Sequence, residues 1–258
     1  MRKNIPQLWD EIWQGDSSVE EDRYILSKEE NSIRWQRIEK IVLQKFGSFV
    51  GRKVIEIGAG IGTYAALMAK KGADVTIVDY SEVALKRAAN FFSRNGLSAQ
   101  FIKHDALTLP MNFFNKYDIA MSFGLAEHFK NQQRILINKI HFDLLRKGGI
   151  AFISVPNKWN VPYRLFKFVA EIMGRWKIGE EYPYSRVELK NICQKIGVKQ
   201  YSFFGDSLYG SFKFINPLQI IKKTSKNSWQ LDRIKKEKGT FLDCYFSYAL
   251  VLYGEKSI

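Results

Sequence analysis

The spacing of apolar residues changes along the chain. Trp35, Ile38, Ile41, Val42 and Phe46 recur at helical intervals, which predicts one amphipathic helix over 28–46. Ser27-Lys28-Glu29-Glu30 has the capping-box pattern that opens a helix, and Gly47 closes it. Residues 1–26 are polar, contain Trp9 and Trp13, and read as an irregular arm or a short helix. Short apolar runs then alternate with helical patterns. Strands are expected at 53–58, 74–79, 98–103, 117–123 and 148–156, and helices at 62–71, 81–95 and 131–146. This β-α-β-α order with short connections predicts a doubly wound, mostly parallel α/β sheet.

The rhythm breaks at 157–184, an aromatic and basic stretch. There Leu165, Phe168, Val169 and Ile172 line one helical face, and Arg164, Lys167, Glu171 and Arg175 the other. A helix at 185–196 and a strand at 198–205 follow, then a second irregular stretch at 206–240. FLDCYFSYALVLYG at 241–254 reads as a long closing strand. No crossover helix precedes it, so antiparallel pairing with its predecessor is expected. The expected organisation is an arm and helix over 1–47, a core over 48–156, an insertion at 157–184, and completion of the sheet over 185–258.

Composition narrows the class. With 46% apolar and 26% charged residues over 258 positions, the chain is globular and long enough for a full core. Its two cysteines, Cys193 and Cys244, read as small apolar core residues and cannot build a disulfide framework. His104, His128 and His141 have no cysteine or second histidine at ligand spacing, so no metal site is expected. No apolar run reaches bilayer length and the N-terminus lacks an apolar leader, so a cytoplasmic protein is expected. Residues 1–145 hold 20 basic and 17 acidic side chains, whereas residues 146–258 hold 20 and 9. A basic second half suits an anionic partner, or serves solubility alone.

The sharpest motif is Val54-Ile55-Glu56-Ile57-Gly58-Ala59-Gly60-Ile61-Gly62, a glycine turn between a strand and a helix start. Glycines let the backbone approach a ligand where a Cβ would collide, and the helix start offers N–H donors. Asp79, at the end of the next strand, can accept from ribose hydroxyls. A dinucleotide site would share these features. The G-x-G-x-G spacing and the acid Glu56 inside the strand argue against it, because a buried carboxylate needs a partner such as an ammonium group.

With HDALTLP (104–110), YDIAMSFGLAEHF (117–129) and LLRKGGIAFISVPN (144–157) added to VIEIGAGIG and IVDYS (77–81), the chain resembles the class I S-adenosylmethionine-dependent methyltransferases of the small-molecule type. The likeness covers residues 50–157 well and the terminal strand pair loosely. It implies a Rossmann-like, seven-stranded sheet whose last inserted strand is antiparallel. It implies S-adenosylmethionine as cofactor and S-adenosylhomocysteine as product. Carried over position by position, it has Glu56, Gly58, Ala59, Gly60 and Gly62 hold the methionine part, Asp79 the ribose, and Tyr80 flank the adenine. Asp105 would accept from the adenine amino group, the Ala106 N–H would donate to a ring nitrogen, and Phe123 and Gly124 would line the sulfonium end. Asp105 could instead only cap a turn, and Gly62 only pack.

Methyl transfer rests on positioning, with a base needed only if the acceptor must lose a proton. His128, with Glu127 beside it, is the candidate base, being the histidine in open surroundings just beyond the fourth strand. The alternative is a helix-start element that orients the loop. His104 reads as structural and His141 as surface or packing.

Both irregular segments leave carboxyl ends of strands, so both are expected to overhang the site as lids. Their aromatic and basic residues fit three partners: an aromatic or anionic small molecule, a membrane surface touched by helix 161–173, or RNA. The small molecule is preferred. Nucleic acid ranks last, because SFGL stands where amino-group nucleic-acid methylation would place its motif. A non-catalytic cofactor-binding partner subunit is the alternative to an enzyme, and a nicotinamide oxidoreductase a weaker one. The oligomeric state is not legible.

Overall fold

In the computed structural model, residues 5–15, 17–176, 178–215 and 234–257 are described. Residues 216–233 of the irregular stretch at 206–240, and Lys177 within 157–184, lie outside them. Among the described residues seven strands form one sheet: β1 (Lys53–Ile57), β2 (Asp74–Asp79), β3 (Gln100–Lys103), β4 (Tyr117–Phe123), β5 (Leu145–Pro156), β6 (Gln200–Gly205) and β7 (Ala249–Glu255). Their order is β3-β2-β1-β4-β5-β7-β6. β7 pairs antiparallel with both β5 and β6, and the other pairings are parallel. The chain changes direction across the sheet at β1 and β4, which opens a crevice at their carboxyl ends.

Helices cover both faces. Along β1, Val54 packs on one face and Ile55 and Ile57 on the other. The first face carries α3 (Ile33–Phe46), α4 (Thr63–Lys70) and α5 (Glu82–Arg94), through Trp35, Ile38, Leu67, Met68, Phe91 and Phe92. The second carries α6 (Asn131–Leu144) and α8 (Arg186–Lys195), through Ile137, Ile140, Leu189 and Ile192. Near-continuous apolar strands are what a sheet buried on both faces requires.

Three expectations change at the ends. The single helix over 28–46 is two helices, α2 (Val19–Glu30) and α3, preceded by α1 (Pro6–Trp13). Ser27 lies inside α2. The caps are Ser18 and Ser32, whose side chains accept from Glu21 N–H and Trp35 N–H. The expected closing strand begins late, because Asp243–Phe246 is a helical turn. Of the cysteines, Cys193 is buried and Cys244 only partly so. His141 is fully buried, with one ring nitrogen on Ile137 O and the other on Ser122 Oγ.

The closing turn is tied to the N-terminal helices. Asp243, 1% exposed, accepts from Arg37 (2.7 Å), Thr240 N–H (2.7 Å) and Leu208 N–H (3.0 Å). Arg34 reaches Asp206 at 2.5 Å. Glu237 accepts from Ile33 N–H, and its own N–H donates to Asn31 O. Segment 234–243 thus runs along the start of α3. Asp243→Ala leaves these buried donors without their acceptor, so it should cost about 3–5 kcal/mol in chemical denaturation.

Candidate active site

The crevice at the carboxyl ends of β1 and β4 widens into a cavity of about 600 Å³, within the range of small-molecule sites. Its floor is the β1–α4 turn. Gly58 and Gly60 have φ of 59° and 55°, in the left-handed region. A Cβ on Gly58 would run into the Leu125 side chain, and one on Gly60 into the Trp13 ring. Gly62 does not line the cavity. It caps α4 in a left-handed conformation, packs against Ile77, and so takes the packing role that was open to it.

Two carboxylates flank the turn. Glu56 is 2% exposed, and its Oε2 accepts from Ala65 N–H at 3.0 Å. Burial, with the Asp79 charge adding, pushes its pKa up to about 8. Asp79 accepts from Gly60 N–H (3.0 Å) and Ser81 N–H (2.9 Å), and burial raises its pKa too. A pocket that strains two acids toward neutrality suits a cationic ligand with hydroxyl donors. Asp105 Oδ1 accepts from Leu107 N–H at 2.9 Å, so it does cap a turn, but it also lines the cavity. Ala59, Tyr80, Ala106, Phe123 and Gly124 line it as well.

The far wall came without a sequence motif. Tyr64 stacks on Phe123 with centroids 4.0 Å apart, and its hydroxyl donates to Glu29 at 2.6 Å. Arg34 sits 5.5 Å over the Tyr64 ring. Burial opposes its charge, but Asp206, Tyr64 and Glu29 outweigh this and hold its pKa above the usual range. Trp9, Trp13 and Ile25 line the cavity from α1 and α2. The i, i+4 spacing of Trp9 and Trp13 was the one legible sign that both share a helix face.

His128 lines the cavity, and Glu127 does not. The surroundings of His128 are not open as expected. Its Nδ1 meets Glu180 O at 2.8 Å, the Gly124 carbonyl also faces the ring, and the Trp9 ring lies edge-on at 4.7 Å. Burial outweighs both carbonyls and pushes its pKa down to about 4, so the imidazole is neutral at pH 7. Glu127 is buried beneath, its pKa pushed up to about 8 by burial and then by Glu181. Its Oε2 has no hydrogen-bond partner among the described residues. Glu127, His128 and Glu181 bring ligand-type atoms within 4.8 Å of one another, a grouping that sequence spacing hid because Glu181 comes from a distant loop. His104 also lines the cavity, with its Nδ1 3.0 Å from Asp105 O.

The expected lid behaves differently. Among the described residues, none from 157–184 or 206–240 lines this cavity. Segment 180–184 instead buttresses the loop after β4, through Tyr182 N–H to Glu127 O and Tyr184 Oη to Ala126 O. Tyr163, Trp176, Phe214 and Tyr248 pack as an aromatic cluster of their own.

Residues 54–149 match the family model described as a methyltransferase domain. That stretch, which holds β1 to β4 and the glycine turn, reads as a methyltransferase domain. The ubiquinone biosynthesis O-methyltransferase of Rickettsia canadensis (strain McKiel) is 25% identical over 156 residues, which cover 60% of this chain and 64% of that protein. The chain thus spans under two-thirds of such relatives. Magnesium protoporphyrin IX methyltransferase from Synechocystis PCC 6803, solved with bound SAH, superposes with a TM-score of 0.59 at 17% identity, covering 97% of this chain and 93% of that one. A putative sarcosine dimethylglycine methyltransferase from Galdieria sulphuraria gives a TM-score of 0.60 at 14% identity, covering 87% and 86%. At these identities the structures establish the fold.

In the methyltransferase domain, Glu56 keeps its proton in the folded chain at pH values where the unfolded chain, near 4.5, has lost it. The contribution of Glu56 to ligand-free stability should therefore fall as pH rises from 4.5 through about 8, and level off above. In Glu56→Gln, urea denaturation should show a smaller loss between pH 5 and pH 8.

Proposed function

We propose that the protein transfers a methyl group from S-adenosylmethionine to an oxygen nucleophile on a small, flat acceptor. The observation that carries this reading is a single cavity joining the glycine turn and its carboxylates to an aromatic wall with a neutral imidazole. The names of the curated relatives support an oxygen acceptor.

The cofactor, when bound, supplies an electrophilic methyl on a sulfonium. In this reading Glu56 takes its ammonium, and the backbone at Gly58, Ala59 and Gly60 cradles the methionine part. Asp79, already aimed by Gly60 and Ser81, keeps acceptor capacity for two ribose hydroxyls. Tyr80 flanks the adenine, Asp105 and Ala106 N–H read its edge, and Phe123 and Gly124 border the sulfonium. The acceptor lies against Tyr64, Phe129 and His128, with Gln133 and Arg34 as polar handles. His128 takes the acceptor proton: it needs no prior deprotonation at neutral pH, which a base requires. Glu127 lies outside the cavity and acts as a positioning residue for that turn.

Calorimetry should give micromolar binding of S-adenosylmethionine and S-adenosylhomocysteine and none of NADH. Asp79→Asn should weaken cofactor binding by about a hundredfold, since it removes charge-assisted bonds to two hydroxyls. Unchanged binding in that variant would overturn the cofactor assignment. If an ionised Glu56 meets the ammonium, binding below pH 8 releases a proton. Affinity should then rise with pH up to about 8, and this rise should vanish in Glu56→Gln. His128→Ala should keep cofactor binding and lower methyl transfer to phenolic acceptors by about 10² or more.

A further inference from the structure

Helix α7 (Val161–Ile172) sits inside out. Val161, Leu165, Phe168, Val169 and Ile172 form an apolar stripe that a surface helix would normally lay on the core. Here each is 45–71% exposed. The buried face holds Tyr163 (3%) and Lys167 (9%). Lys167 pairs with Glu171 and lies 4.6 Å over the Trp176 ring. Tyr163 donates to Glu181 and packs on Tyr248 and Phe214, with centroids 4.6 and 5.1 Å apart. The face of Tyr163, Phe166 and Lys167 is thus the anchored one, and the outward stripe is the consequence of a built network.

The apolar face extends beyond the helix. Trp159 and Met173 are exposed at its two ends. Asn160 Nδ2 donates to Phe246 O and Asn157 Nδ2 to Tyr245 O, which joins the turn Asp243–Phe246 to the start of α7. Phe241, Tyr245 and Phe246 add exposed rings there. A contiguous face of this kind marks an interaction site, unlike scattered single apolar residues. Lys158, Arg164 and Arg175 are exposed around it.

We propose that this face docks on an anionic lipid surface. An apolar stripe bordered by Lys and Arg is the pattern of a helix lying in a bilayer interface. Among the described residues no helix is long and apolar enough to cross a membrane, so the contact is peripheral. A second copy is the poorer occupant: it would set basic rim against basic rim in a chain of net charge +14. Nucleic acid is poorer too, because four of the five stripe residues, Val161, Leu165, Val169 and Ile172, are aliphatic and favour an acyl-chain boundary over a stacked base. The loop leaving α7 carries Glu180, whose carbonyl meets His128, so the docked face is one segment away from the site. The proposal stands on the orientation of α7 and not on the methyl-transfer reading, so the two can fail separately.

The test is co-sedimentation of the full chain with phosphatidylcholine vesicles, with and without phosphatidylglycerol. Binding is expected only to the phosphatidylglycerol vesicles, and weaker at higher salt. The pair Phe168→Asp/Ile172→Asp should lower partitioning by about a hundredfold. Arg164→Gln and Arg175→Gln should each lower it by about fivefold. All three variants should keep the thermal midpoint and cofactor affinity of the parent. Failure of the parent to sediment with phosphatidylglycerol vesicles would overturn the proposal, as would undiminished sedimentation of the double variant. Equal binding to phosphatidylcholine alone would overturn the anionic assignment. A dimer abolished by the double variant, with no vesicle binding, would assign the face to a second copy.

Discussion

The bond from Gly60 N–H to Asp79 holds the site together. It ties the turn after β1 to the end of β2, and so fixes the distance between a bare backbone and a buried acid. A side chain at Gly60 would displace the Trp13 ring, and one at Gly58 the Leu125 side chain. The walls of the cavity are therefore built against glycine. Glu56 and Asp79 are buried with little charge compensation from the chain itself, which leaves the pocket poised for a cation.

Around that turn the two ends of the described chain converge. α1 docks on α5: Ser81 Oγ donates to Asp10 at 2.6 Å, and Arg87 lies 6.0 Å from the Trp13 ring. Trp9 meets Tyr80 on one side and the His128 ring on the other, so one side chain spans the cavity. From the other end, Asp206, Glu237 and Asp243 hold the first turns of α3, whose Arg34 reaches the far wall. The antiparallel β7 brings this about by returning the chain between β5 and β6, which places the preceding turn beside α3.

α7 shows where pattern and packing part. Its stripe was plain in the sequence, but the direction it faces was not. Orientation was decided by Tyr163 and Lys167, which find Glu181, Trp176 and Glu171 inside. A buried polar group without partners is costly, and one with several can outcompete an apolar stripe for the inner position. A pattern that disagrees with its burial belongs to a surface with a task.

The sequence by itself determined the alternating core, the strand that carries Glu56, the glycine turn and Asp79. These depend on local period, on backbone conformations that only glycine adopts freely, and on short connections that leave one topology. Asp105, Phe123 and Gly124 were named through the family resemblance, and they line the same cavity. Only the tertiary structure decided that two helices occupy 19–46, that Trp9, Arg34 and Tyr64 form the far wall, and that His128 lies between two carbonyls. Those outcomes come from contacts between residues far apart in the chain, such as Arg34 with Asp206 and Glu127 with Glu181. Period and spacing record what a segment prefers for itself, whereas the neighbours that bury, charge or turn it are set by how the whole chain closes.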